Sequence, residues 1–206
     1  IFIDKTEYSY LKKEGPLINN LLIKNLGFNE DNINFDNISE EKINFLADSI
    51  EVNLGNRRVL IKNLGIAHTK GDLIAYDFNT NTYITGDVIF IGRAAAFSDA
   101  NIPMWINVIN NKLDLSWDYL IPGHGSIINN KLELNDTKNW LYFLDNAVKQ
   151  AFSEGDMISE ILQYPIPKEI HHLKMKSITL RQGIKKQLNL YRKKYYKFGY
   201  CSSCTR

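Results

Sequence analysis

Runs of apolar residues separated by turn-forming residues predict most of the strands of this chain. Residues 48–68 predict two strands joined by a Gly55–Asn56 turn, a dipeptide that favours tight hairpins. "DLIAYDF" and "TYITGDVIF", separated by "NTN", predict a second hairpin, and "WDYLIPGHG" predicts a further strand ending in a glycine-rich loop. Because "LIAYDF" is apolar without alternation, we expect a sheet that is covered on both faces.

Helical periodicity accounts for much of the remaining chain. A short helix follows the strand "IFID" and is expected to end at Gly15, and a longer one begins at Asn135 or Asp136 and ends at Gly155. A last helix spans roughly residues 177–197. The helix between the second hairpin and the last strand is expected to place three residues in the core, namely Met104, Trp105 and Val108. Strands come first and helices follow, which predicts a layered α/β domain.

Length and composition favour one globular domain. The chain has 206 residues, of which 44% are hydrophobic and 23% charged. No apolar run approaches the roughly 18 residues that a membrane-spanning helix needs. Residues 168–206 carry 11 Lys and Arg against one acid, whereas residues 1–167 carry 14 against 22. This asymmetry indicates either an anionic partner or a basic helix lying on an acidic body.

Both ends of the chain raise separate expectations. Cys201 and Cys204 form a terminal "CSSC", which supplies only two of the roughly four ligands of a structural zinc site. The pair is open to a local disulfide, a redox role or no role at all. The first residue is Ile1 and it enters an apolar strand directly, so we expect a fragment or processed form that lacks its upstream part.

Three polar residues stand out because each follows a predicted strand and has glycine nearby. They are His68 in "AHTKGD", Asp87 in "TGD" and His124 in "PGHG". Each alone has an ordinary interpretation as a loop or turn residue. Together they offer imidazole and carboxylate groups at one sheet edge, a donor set that suits zinc, iron or manganese.

These motifs also carry a resemblance to a known family. "GIAHTKGDLIAYD", "TYITGDVIFIGR" and "LIPGHG" resemble the C-terminal half of the metallo-beta-lactamase-fold hydrolases, with the clearest match over residues 66–127. "IGRAAAFSDANIPMW" is most similar to the branch of zinc metallohydrolases linked to sulfur oxidation and quinoprotein dehydrogenases. The resemblance implies an α/β fold of the αββα sandwich type, as one domain over residues 1–206 with variable helices from about residue 135. This chain would hold mostly the C-terminal half of that sandwich.

The resemblance also implies roles for the three residues. His68 would complete one metal site, His124 would complete a second, and Asp87 would bridge the two as a catalytic residue. Two zinc ions, with iron as the alternative, would supply a metal-bound hydroxide that attacks an ester-, thioester- or amide-like bond of a small-molecule substrate. The family's "HxHxDH" ligand cluster is absent from the sequence. We therefore expect these residues alone to bind metal weakly and to turn over little substrate.

Two further residues are candidates with open roles. Asp72 either orients His68 or caps the next strand, and Arg93 either meets an anionic substrate group or forms a structural ion pair.

Two other functions compete with the hydrolase: a non-catalytic partner-binding relic of the same fold, and a nucleic-acid-processing member that uses the basic last helix. Because Ile184 and Leu188 give that helix an apolar face, we expect it to dock, and nucleic acid is not an expected partner. The branch resemblance favours the periplasm over the cytoplasm, and the oligomeric state stays open.

Overall fold

The computed structural model describes residues 1–26, 40–113 and 116–196. Its strands are β1 (Phe2–Ile3), β2 (Asn44–Phe45), β3 (Ser49–Asn53), β4 (Arg58–Gly65), β5 (Asp72–Asp77), β6 (Thr82–Phe90) and β7 (Tyr119–His124). Its helices are α1 (Lys5–Leu26), α2 (Ile102–Asn111), α3 (Asn135–Glu154), α4 (Ile158–Ile161) and α5 (Lys176–Tyr196). Short 3-10 turns lie at Glu40–Lys42, Lys131–Leu134 and Lys168–Ile170.

A five-stranded sheet in the order β3-β4-β5-β6-β7 forms the centre of the fold. The two predicted hairpins are confirmed, since β3, β4, β5 and β6 pair antiparallel in sequence order. The first turn is closed by the Leu54 amide, which donates to the Arg57 carbonyl over 2.8 Å, with Gly55 at a φ of 84°. β7 pairs parallel to β6 after the α2 crossover. The carboxyl ends of β6 and β7 therefore meet at one edge of the sheet.

Helices cover one face of this sheet. Cross-strand partners on the covered face form a row of apolar side chains from four strands, Leu60, Tyr76, Tyr83 and Leu120. Tyr83 and Leu120 lie in a core that also contains the fully buried Trp105 of α2 and Trp140 of α3. α5 joins this layer through the buried Ile184 and Leu188. Burial of these large side chains is the main stabilising contribution to the domain.

The opposite face carries a second apolar row, made by Ile50, Ile61, Ala75, Ile84 and Ile121. Ile84 is 43% exposed, so among the described residues the expected covering of both faces is observed only on the helical side. A small parallel sheet of β1 and β2 meets this side of the molecule at Asn63. The Asn63 amide group donates to Asp4 Oδ2 and to the Leu46 carbonyl, over 2.7 Å in each case. Asn63 thereby connects the two sheets.

Several local predictions were wrong for identifiable reasons. α1 continues past Gly15 to Leu26, and Gly15 is buried within it, although glycine costs roughly 1 kcal/mol in a helix interior. Met104 is 44% exposed, since it points about 100° away from its buried neighbour Trp105 around α2. α3 does end at Gly155, which has a left-handed φ of 82°, but its first turn has no side-chain cap.

Lys197, Cys201 and Cys204 lie outside the described residues. None of the helices in the described ranges is long and apolar enough to cross a membrane.

Candidate metal centre

His68 lies in a tight turn that follows β4. The Ala67 amide donates to the Thr69 carbonyl over 3.1 Å, and the Ala67 carbonyl accepts from the Asn101 amide over 2.9 Å. Asn101 also caps α2, where its Oδ1 accepts from the Met104 amide. The backbone on which His68 stands is therefore fixed to the start of α2.

The His68 ring packs into an aromatic corner. Its centroid lies 5.2 Å from that of Trp105, edge to face, and 5.6 Å from that of Phe90. Burial disfavours the imidazolium and lowers the pKa of His68, while the nearby Asp87 carboxylate opposes that shift. Its Nδ1 is buried and has no hydrogen-bond partner among the described residues. A neutral imidazole with an unsatisfied buried nitrogen suits a metal ligand.

Asp87 lies inside β6, not at the end of a strand as the sequence predicted. Gly86 pairs with Pro122 and Phe90 pairs with His124, so β6 has extra residues between these two positions. Gly86, with a φ of 51°, begins this β-bulge. The sequence prediction mistook a bulge for a strand end, because a glycine suits either structure. Bulges redirect side chains beside functional sites, and this one turns Asp87 towards the two histidines.

His124 is the last residue of β7, as expected. Its carbonyl accepts from the Ile91 amide over 2.9 Å, which holds the end of β7 against β6. Its ring stacks on Phe90 at a centroid distance of 5.0 Å and an angle of 30°. Phe90 therefore contacts both imidazoles and sets the position of each relative to Asp87.

The structure brings the three side chains together around the Asp87 carboxylate. His68 Nδ1 lies 4.0 Å from Asp87 Oδ2, and His124 Nε2 lies 3.5 Å from Asp87 Oδ1. Each carboxylate oxygen thus faces a different histidine. Within the described part of the chain, no group of three or more His, Cys, Asp and Glu side chains is placed to hold one metal ion. The geometry instead gives two donor pairs that share Asp87.

These donor pairs fit metal ions. Two ligands of a tetrahedral zinc ion lie about 3.3–3.6 Å apart, because each zinc–nitrogen or zinc–oxygen bond is about 2.0–2.2 Å long. The 3.5 Å separation of His124 Nε2 from Asp87 Oδ1 matches this spacing, whereas the 4.0 Å separation of His68 Nδ1 from Asp87 Oδ2 would have to shorten on binding. Both are too long for normal hydrogen bonds. With the orphaned Nδ1 of His68, the chemistry of these donors suits metal ligands, and Asp87 lies between the two histidines.

The two residues with open roles have different surroundings. Asp72 accepts from the Thr69 amide over 2.9 Å and from the Thr69 hydroxyl over 2.8 Å, so its carboxylate closes the His68 turn and makes no hydrogen bond to the imidazole. Arg93 forms no ion pair with any described residue, and its Nε is buried without a partner. The backbone of Arg93 forms a parallel β-bridge with Lys174, which lies just before α5.

Sequence reasoning missed the residues that support the centre from a distance. Thr137 of α3 is fully buried, and its hydroxyl both donates to the Phe90 carbonyl over 2.8 Å and accepts from the Phe90 amide over 2.9 Å. Asp136 accepts from the Gly92 amide over 2.7 Å and contacts His172. No local pattern signals these contacts, because their partners are more than 35 residues apart.

Comparisons with known proteins agree with this geometry at the level of the fold. No protein-family model and no curated protein matches the sequence. Among solved structures, 138 chains match. The inverting sec-alkylsulfatase Pisa1 from Pseudomonas sp. aligns over 78% of this chain and 28% of its own, with a TM-score of 0.58 and 15% identity. The metallo-beta-lactamase IND-7 aligns over 68% of this chain and 56% of its own, with a TM-score of 0.50 and 16% identity.

A metallo-beta-lactamase from Pontibacter korlensis aligns over 49% of this chain and 48% of its own, with a TM-score of 0.42 and 17% identity. The chain thus spans between 28% and 56% of the length of these three proteins. At these identities the similarity shows the fold alone. The α/β fold is that of the metallo-beta-lactamases, as the sequence motifs predicted, while membership of that family and of any branch within it stays a prediction.

Proposed function

We propose that the protein is a metal-dependent hydrolase in which His68, Asp87 and His124 are metal ligands. The observation that carries the proposal is the divided carboxylate of Asp87, each oxygen of which faces a different imidazole. A bound pair of divalent ions would polarise the scissile bond and lower the pKa of coordinated water. Zinc is the proposed metal and iron the alternative, because both accept imidazole and carboxylate ligands.

The chain's own residues divide the site into a dry side and an open side. Trp105 and Phe90 exclude water from one side of His68, whose side chain is only 15% exposed. Asp87 and His124 are 37% and 43% exposed. A small substrate would therefore approach from the side of Asp87 and His124, while His68 anchors the buried ligand position. Burial lowers the pKa of His68 and so favours the neutral imidazole, which is the form that binds metal.

The bond cleaved is proposed to be of the ester, thioester or amide class. The matched structures include proteins described as beta-lactamases and as a sec-alkylsulfatase, so a lactam and a secondary alkyl sulfate are the first two test substrates. The branch linked to sulfur oxidation remains the finer proposal from the sequence motifs. Fold alone cannot choose between these substrates, because one fold supports many reactions.

Metal binding is the first test of this function. The three residues supply fewer than about three protein ligands for each of two ions, so we expect weak binding. Zinc and cobalt titrations by calorimetry would compare the wild-type chain with His68→Ala, Asp87→Ala and His124→Ala. His171→Ala is the matched control, since His171 is an exposed histidine whose Nε2 contacts the Ile166 carbonyl. We expect each ligand variant to lose binding and the control to retain it.

The same metal titration distinguishes the proposed hydrolase from a non-catalytic partner-binding module. Equal binding by the wild type and all three ligand variants would refute the metal centre and favour a partner-binding module of the same fold. Loss of binding in the three variants, together with metal-dependent turnover of either test substrate, would establish the hydrolase. Turnover that is unchanged by chelation would contradict the proposed metal dependence.

A further inference from the structure

Helix α1 contacts the turn that carries His68, although the two are about 60 residues apart in the sequence. The Lys70 amide donates to Glu7 Oε2 over 3.1 Å. Glu7 is partly buried, and burial raises the pKa of its carboxyl, an effect that the Lys70 hydrogen bond opposes. A partly desolvated carboxylate that accepts a hydrogen bond from a backbone amide fixes the position of that amide.

Tyr10, one turn further along α1, makes the second contact. The Lys70 ammonium lies 3.5 Å from the centroid of the Tyr10 ring. The Tyr10 hydroxyl donates to Asp99 Oδ2 over 3.2 Å. Asp99 lies two residues before Asn101, whose amide holds the other end of the His68 turn. Tyr10 therefore connects Lys70 in that turn with Asp99 in the segment that leads into α2.

The third contact is steric. A Cβ atom at Gly71 would lie 2.3 Å from the Asp4 Cβ, so the turn approaches the start of α1 more closely than any side chain permits. Asp4 is itself held by Asn63 and caps α1 through the Thr6 amide. The approach is therefore between the Gly71 backbone and the Asp4 side chain, which is fixed by those hydrogen bonds.

We propose that Glu7 and Tyr10 are positioning residues for His68, which they hold in place by tethering Lys70 and Asp99 to α1. The inference rests on the proposed role of His68 as a metal ligand. His68 supplies one imidazole from a turn of about six residues, and that turn contains no helix or strand of its own. Its backbone is clamped between α2, through Asn101, and α1, through Glu7. Groups that hydrogen-bond directly to a metal ligand typically change metal affinity by about 10- to 100-fold, and Glu7 acts through the turn backbone, so we expect an effect at the lower end of that range.

The experiment compares four variants of the full chain. Glu7→Ala removes the acceptor, Glu7→Gln keeps an oxygen that can accept from the Lys70 amide, and Tyr10→Phe removes only the hydroxyl. Ser9→Ala is the matched control on the same helix, because Ser9 is exposed and its hydroxyl bonds only to the Lys5 carbonyl one turn earlier. Circular dichroism confirms that each variant is folded.

Three readouts are measured on each variant. Hydrogen exchange reports on the Lys70 amide, and the ring NMR signals of His68 in metal-free protein report on its packing against Trp105 and Phe90. Zinc titration gives the Kd. For Glu7→Ala we expect Lys70 exchange to accelerate roughly fivefold or more, shifted His68 ring signals and a Kd weakened about tenfold. Glu7→Gln should restore all three, Tyr10→Phe should shift the ring signals, and Ser9→Ala should change none.

The outcomes separate this inference from the proposed function. If the wild-type chain binds no zinc, the proposed function fails, while the amide and ring signals still decide whether Glu7 positions His68. If Glu7→Ala leaves the His68 signals and the Kd at the values of Ser9→Ala, the positioning inference is overturned although the metal centre stands. If Glu7→Ala is unfolded, Tyr10→Phe decides: unchanged His68 signals in that variant overturn the inference.

Discussion

The substitution Thr137→Val tests how strongly the domain depends on one buried hydroxyl. Valine has nearly the shape of threonine, so the change removes the hydroxyl and little else. In the structure this hydroxyl is the partner of both polar groups of Phe90, through bonds of 2.8 and 2.9 Å, and Thr137 is fully buried. The substitution therefore leaves a buried amide and a buried carbonyl without their partner.

The expected loss of folding free energy follows from the unsatisfied amide and carbonyl of Phe90. Each buried polar group left unsatisfied costs about 1–3 kcal/mol, so Thr137→Val should destabilise the fold by roughly 2–6 kcal/mol. For a domain of this length each kcal/mol lowers Tm by roughly 2–4 °C, so we expect melting on the order of 10 °C lower. Thr137→Ser is the comparison variant, since it keeps the hydroxyl and loses one buried methyl group worth about 1 kcal/mol.

Thermal unfolding followed by circular dichroism measures both variants beside the wild type. The decisive result is their order: the valine variant must melt well below the serine variant. If Thr137→Val melts within about 2 °C of the wild type, or above Thr137→Ser, the hydroxyl does not carry the stability assigned to it. In the folded valine variant, zinc affinity should also fall, because Phe90 contacts the rings of both His68 and His124.

Three further predictions concern the metal centre and its surroundings. Gly123→Ala should destabilise the fold by about 1–3 kcal/mol and abolish zinc binding. The cause is steric, because the new Cβ would lie 1.9 Å from Asp87 Oδ1 and 2.6 Å from the Asp87 backbone nitrogen. Calorimetry that finds wild-type zinc affinity in this variant would contradict the prediction. The pKa of His68 is lowered by burial, so the unfolded chain takes up a proton near pH 6.5 before the folded chain does. The contribution of neutral His68 to stability should be complete above about pH 6.5 and should be lost as the pH falls below that value. Urea unfolding midpoints at several pH values measure this pH dependence, with His68→Gln as the control. An equal pH dependence in His68→Gln would refute the assignment to His68. Finally, we expect no RNA binding at low salt by fluorescence anisotropy, because α5 docks on the core through Ile184 and Leu188; low-micromolar, salt-sensitive binding would refute that expectation.

The sequence predicts those features of the fold that have local causes. Gly55–Asn56 specifies a hairpin turn by its backbone preferences, and the apolar runs of "DLIAYDF" and "TYITGDVIF" predict the second hairpin of the sheet. The candidate ligands are recognisable for the same reason, since glycines flank each of them. Local reasoning failed where tertiary packing decided the outcome. Gly15 reads as a helix end but is buried within α1, and Gly86 reads as a strand end but begins a bulge.

The contacts that support the site have no local signal at all. Thr137 meets Phe90 across 47 residues, and Glu7 meets Lys70 across 63. Neither threonine in a helix nor glutamate in a first turn is unusual, so nothing in either segment indicates its partner. Such pairs become visible only when the strand register and the helix positions are known together.

The close approach of Gly123 to Asp87 has a consequence for sequence searches and for directed evolution. Because the Gly123 Cα position is packed against the Asp87 carboxylate and the Gly86 backbone, the "TGD" and "PGHG" segments form a single mutational unit. A library that varies one segment while fixing the other would sample mostly clashing pairs. Randomising 86–87 and 122–124 together is the design that gives compensated combinations a chance to appear, and a profile that scores both segments jointly would find distant homologues that either one misses.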